Sequence, residues 1–115
     1  IGKPEFGSTK FMVAGTSNLY TIETSGTLYE VNPTTGAWKT MGTAGAWANT
    51  MKVTVIGNTM YSVETSGALY ATDLSNGKWK QLGKPEFGNT RYMTAHDSKV
   101  YTIETTGSLY EVIVK

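Results

Sequence analysis

The sequence predicts an all-β protein made of β-propeller blades, each a four-stranded antiparallel meander, with about three blades per chain and the last one incomplete. Three observations lead there. The stretch Tyr20–Val31 (YTIETSGTLYEV) returns as Tyr61–Thr72 (YSVETSGALYAT) and as Tyr101–Val112 (YTIETTGSLYEV). The register extends outward, because Phe6, Trp47 and Phe87 align at spacings of 41 and 40 residues and Trp38 aligns with Trp79. Every apolar run is short, rich in aromatic and β-branched residues and bounded by Gly, Asn, Ser or Pro, and none is long enough for a helix. A period near forty belongs to propeller blades or to armadillo-type helical repeats, and the strand-like runs decide for blades.

Within the first copy the strands are expected near Thr9 to Ala14, Leu19 to Glu23, Thr27 to Val31 and Ala37 to Met41. Ser25-Gly26, Ser66-Gly67 and Thr106-Gly107 supply tight hairpin turns in which Gly can adopt positive φ. Asn32-Pro33-Thr34-Thr35-Gly36 and Ser75-Asn76-Gly77 turn the chain between third and fourth strands. The repeat boundaries fall at 1–42, 43–83 and 84–115. The third copy has no counterpart of Trp38 and Trp79 and so lacks its outer strand, while Ile1-Gly2 reads as the end of such a strand. An open stack of three blades would leave an apolar face bare at each end. The expectation is therefore a homodimer joined head to tail into six blades, with a truncated piece of a longer repeat protein and an engineered repeat as the other readings.

Composition limits the function. The chain has 115 residues, a formal net charge of +1, no cysteine and one histidine. Near neutrality argues against nucleic acid, which requires a basic face. No run is long enough for a membrane-spanning helix, and no leader peptide is evident, so a leader is expected to be absent or already removed. Zero cysteines exclude disulfides and thiolate metal sites and leave the compartment open, a secreted or extracellular one included. His96 falls in the turn Ala95-His96-Asp97-Ser98 and has no counterpart in the other copies, which makes it a turn residue rather than a catalytic base. No zinc or calcium pattern is present, so neither enzyme activity nor cofactor is expected.

Strand polarity places a candidate site. In an up-and-down meander the link into each first strand lies on the same rim as the turn between strands two and three. That rim would carry Phe6, Trp47 and Phe87 with Ser8, Asn49 and Asn89, beside Glu23, Glu64 and Glu104. An aromatic face with hydroxyl, amide and carboxylate groups suits a sugar, whose C–H face packs on a ring while its hydroxyls take directional hydrogen bonds. Duller roles compete. The three aromatics could plug the gaps between blades, and the three glutamates could accept hydrogen bonds from turn amides or hydroxyls. Trp38 and Trp79 are read as covering the outer edge or packing between blades, outside the site. Lys3-Pro4-Glu5 and Lys84-Pro85-Glu86 read as rigid connectors with solvated charges.

The run Gly45-Ala46-Trp47-Ala48-Asn49, followed by Met60-Tyr61 and Gly67-Ala68-Leu69-Tyr70, resembles the blade signature of tachylectin-like β-propeller lectins. At Phe6 and Phe87 the sequence Pro-Glu-Phe replaces that family's Gly-Gly-Trp. The resemblance implies a multivalent carbohydrate-binding protein that takes N-acetylated sugars between neighbouring blades. A noncatalytic scaffold or protein-interaction propeller is the alternative, in which the repeated rim residues only hold turns in place.

Overall fold

A computed structural model of the chain describes residues 1–114. Three antiparallel sheets follow one another. The first is β1 (Thr9–Ala14), β2 (Leu19–Glu23), β3 (Leu28–Val31) and β4 (Trp38–Met41), and the second is β5 (Thr50–Ile56), β6 (Thr59–Glu64), β7 (Leu69–Asp73) and β8 (Trp79–Leu82). The third holds β9 (Thr90–His96), β10 (Lys99–Glu104) and β11 (Leu109–Val112). Neighbours in sequence are neighbours in each sheet, which is the meander expected from the repeat. The fourth-strand position of the third sheet is empty among the described residues.

Register is set by the central hairpin. Ile22 pairs with Leu28, Val63 with Leu69, and Ile103 with Leu109. Gly26, Gly67 and Gly107 close these hairpins at φ +85, +90 and +90 degrees, a region that a side chain disfavours. The first strand of every blade carries an irregularity just after its opening threonine, which swings that threonine back toward the end of the second strand.

Side chains on one sheet interleave with those on the next, and the core lies between blades. Tyr20, Ile22, Leu28 and Met41 of blade 1 meet Trp47, Met60 and Leu74 of blade 2. Tyr61, Val63 and Leu69 of blade 2 meet Val100, Phe87 and Met93 of blade 3. Blade 2 is thus covered on both faces. Blade 1 leaves Met12 exposed and blade 3 leaves Tyr92, Ile103 and Leu109 exposed, so each end of the stack presents an apolar face.

Candidate functional site

The rim geometry follows from backbone hydrogen bonds repeated in every blade. The Thr24 amide donates to the Ser8 carbonyl at 2.8 Å, Thr65 to Asn49 at 2.8 Å and Thr105 to Asn89 at 2.9 Å. Each link into a first strand therefore lies beside its own blade's Glu-Thr turn. A second contact joins successive blades: the Trp47 amide donates to the Gly26 carbonyl and the Phe87 amide to the Gly67 carbonyl, both at 2.9 Å. A Cβ at Gly26 would stand 2.2 Å from the Ala48 nitrogen, so this turn accepts only glycine while the next blade is docked on it.

The three glutamates are buried and committed. Thr9 Oγ1 donates to Glu23 at 2.8 Å, Thr90 Oγ1 to Glu104 at 2.9 Å, and Thr50 Oγ1 approaches both Glu64 oxygens at 3.0 and 2.8 Å. Burial pushes the Glu64 carboxyl above its usual range, and the Thr50 hydroxyl offsets part of that rise. The recurring Thr–Glu bond ties the start of the first strand to the end of the second. It uses the carboxylates as internal acceptors at the turn.

Of the two roles open to the junction aromatics, ligand platform or interblade plug, Trp47 takes the plug. Its side chain is fully buried against blade 1, with Gly42 lying close over the ring. It fills the junction together with Tyr20, Ile22, Leu28 and Met41 of blade 1 and Met60 and Leu74 of blade 2. Phe6 and Phe87 are half-buried, and Ser8, Asn49 and Asn89 are exposed. Phe6 lines an apolar cleft of about 390 Å3 with Ile1, Met12, Leu19, Val31 and Pro33 on the open face of blade 1. Phe87, Asn89 and Glu104 line a cleft of about 560 Å3 together with Glu86 and Tyr110. Of the three predicted sets, the third alone gathers its aromatic, amide and carboxylate in one described cleft.

The outer edge holds an arrangement that the rim prediction passed over. Tyr29 stacks on Trp38 and Tyr70 on Trp79, each pair with ring centroids 4.4 Å apart. The Trp38 indole N–H donates to Glu5, which corrects the reading of that connector charge as solvated. Lys39 forms an ion pair with Glu30 at 3.4 Å. The signal was in the sequence: each Leu-Tyr pair is followed by Trp-Lys nine or so residues later in the two full copies. His96 sits at the end of β9, exposed and paired with Asp97 at 3.2 Å, in a hairpin whose Asp97 and Ser98 have positive φ. Among the described residues no group of three or more His, Cys, Asp or Glu could hold a metal ion, and no helix is long and apolar enough to cross a membrane.

Sheet order, interblade cores and the turn-to-link contacts define a partial β-propeller of about three blades. Solved structures agree on that fold. YCF48 bound to D1 peptide matches 96% of this chain at 17% identity and a TM-score of 0.66. The S. cerevisiae complex of Dbp5 with Nup159 and Gle1 contains a chain matching 94% at 15% identity and a TM-score of 0.66. The computationally designed protein Ika4 matches 99% at 8% identity and a TM-score of 0.57. This chain spans 38% of the YCF48 chain and 28% of the yeast chain, against 97% of Ika4. No protein-family model and no curated protein matches the sequence.

Proposed function

We propose that this chain is a noncatalytic interaction propeller, an array of blades that works by docking other polypeptides on its open faces and edges. One observation carries the reading: the repeated residues that resemble a sugar site are engaged inside the fold, Trp47 as a buried plug and Glu23, Glu64 and Glu104 as acceptors for threonine hydroxyls. The open ends point to one partner, a second copy in head-to-tail orientation. The Gly107 carbonyl and the Phe6 amide have no backbone partner among the described residues, and they are the two halves of the contact made at Gly26–Trp47 and Gly67–Phe87. A Cβ at Gly107 meets nothing within 4 Å among the described residues. Ile103, Leu109 and Tyr92 on one end are the counterparts of blade 1 and blade 2 residues that face Trp47, Met60 and Phe87 at the closed junctions, and Phe6, Met12 and Leu19 on the other end match those partners. Two copies would make six blades. The solution mass tests this, with a dimer expected and a stable monomer contradicting it.

A second reading has one observation in its favour. Phe87, Asn89 and Glu104 share a cleft with Tyr110, and a lectin of the tachylectin type would place an N-acetylated sugar there. Titration with N-acetylhexosamines, followed by Trp fluorescence, tests it. Saturable binding that Phe87→Ala removes supports the lectin, and silence across a broad sugar panel leaves the interaction module.

A further inference from the structure

The outer edge of blade 2 carries the hydrogen-bond and charge donors of blade 1 without their acceptors. In blade 1, Tyr29 stacks on Trp38, the Trp38 indole N–H donates to Glu5, and Lys39 pairs with Glu30 at 3.4 Å. Blade 2 keeps the frame: Tyr70 stacks on Trp79 with ring centroids 4.4 Å apart, and Lys80 follows Trp79 as Lys39 follows Trp38. Both acceptors are gone, because Ala46 stands at the position of Glu5 and Ala71 at that of Glu30. Among the described residues the Trp79 indole N–H has no acceptor, and neither Lys80 nor Lys78 has an ion-pair partner. Asp73, the carboxylate closest to them in sequence, is engaged by the Ser75 amide at 2.8 Å and the Ser75 hydroxyl at 2.6 Å. Trp79 and Lys80 are exposed on β8, the last strand of a complete four-stranded sheet that has blade 1 packed on one face and blade 3 on the other.

We propose that the outer edge of β8 binds an acidic polypeptide segment of another protein, whose carboxylates do for blade 2 what Glu5 and Glu30 do for blade 1. Charge and geometry both select this occupant. Successive side chains on an extended strand point to opposite faces, and Trp79 and Lys80 are successive on β8. An extended Glu-Glu or Asp-Glu step running along the edge therefore sets one carboxylate against the indole N–H and the next against the ammonium. The strand edge adds main-chain hydrogen bonds to the segment. The indole bond is the stronger of the two side-chain contacts, since it is charge-assisted and the stack on Tyr70 holds the ring in place. The lysine contact is an exposed ion pair and contributes less. Lys78 and Lys80 also decide what is refused, because like charge keeps a second copy of this edge from pairing with it. The edge of blade 1 does not compete for the segment, because its two donors are already engaged by Glu5 and Glu30.

This rests on the interaction reading and gives it a class of partner. The test uses the whole chain, isotopically labelled, with capped hexaglutamate as the probe and capped hexaglutamine as the control. The Trp79 indole N–H resonance is expected to move downfield and to saturate with a Kd below about 1 mM, while that of Trp38 stays in place. Trp79→Phe keeps a ring on Tyr70 and removes the donor, and is expected to weaken binding about tenfold by calorimetry. Lys80→Glu is expected to abolish it. Ala71→Glu, which gives Lys80 the partner that Lys39 has, is expected to weaken it about threefold. Trp79 and Lys80 are exposed, so their variants keep the fold, which circular dichroism checks. Absence of saturation, equal binding of hexaglutamine, equal movement of the Trp38 resonance, or affinity unchanged by Trp79→Phe each overturns the proposal. The solution mass is read separately, so a dimer that ignores hexaglutamate sinks this edge alone, and a monomer that binds it sinks the head-to-tail pair alone.

Discussion

Blades 2 and 3 carry nearly the same central hairpin and experience different surroundings. Leu69 is 1% exposed and Leu109 is 68% exposed; Val63 is fully buried and its counterpart Ile103 is 40% exposed. Pairing within the two hairpins is identical, Val63 with Leu69 and Ile103 with Leu109. Local sequence therefore makes the strands and their register, while the neighbouring blade decides what is core. Stability in such an array is a sum of blade and interface contributions, and the interface part is the one that blade 3 lacks on its far side.

Substitutions can break this comparison, beginning with the junction plug. Trp47→Ala is expected to cost about 3–5 kcal/mol, a large share of the stability of an ordinary domain, as read by urea denaturation. A loss under about 1 kcal/mol would mean that the link does not hold blades 1 and 2 together. Leu69→Ala is expected to cost about 2–5 kcal/mol. At Leu109 the same change costs less than about 1 kcal/mol in an isolated chain and rises toward the Leu69 value where a second copy covers it, so the pair should be measured across a range of protein concentration.

Two smaller effects sharpen the contrast. Gly26→Ala combines left-handed strain with a Cβ driven into the Ala48 backbone, whereas Gly107→Ala has the strain alone, about 1–2 kcal/mol. Gly26→Ala must therefore be the more damaging by thermal melting, and equality would mean that the link does not rest on the turn. The smallest effect is electrostatic. Folding raises the Glu64 carboxyl above its ordinary value through burial, so the folded state is favoured by proton uptake. The contribution is fully present below the unfolded carboxyl's range and is lost as pH rises through the elevated folded value. Glu64→Gln is expected to remove that loss and flatten stability above the carboxylate range, because the amide oxygen still accepts the Thr50 hydroxyl. A pH series of melting temperatures checks it, and an unchanged slope contradicts it.

Strand order was legible because the repeat states it three times. All four expected strands in blade 1 end where the structure ends them, and the two that start late do so by a single residue, at Leu28 and Trp38. The rim was also legible, since antiparallel polarity alone places Ser8, Asn49 and Asn89 beside their Glu-Thr turns. Burial at the rim was not. A Trp in a loop offers a platform or a plug with equal ease, and the packing of blade 1 against it decides, which is a property of two blades together. The outer edge was missed for a related reason: Tyr29 and Trp38 lie nine residues apart and meet only because β3 and β4 pair in one register. Glu5 looked like a free charge until that register brought the indole N–H to it.

In the proposed head-to-tail pair, the apolar face of blade 1 and that of blade 3 are the two sides of one junction. Light scattering on the purified chain measures this directly. A head-to-tail pair predicts a concentration-dependent species of twice the 12.5 kDa chain mass, reduced to the single mass by Leu109→Asp. A single 12.5 kDa species at all concentrations up to the millimolar range would contradict it.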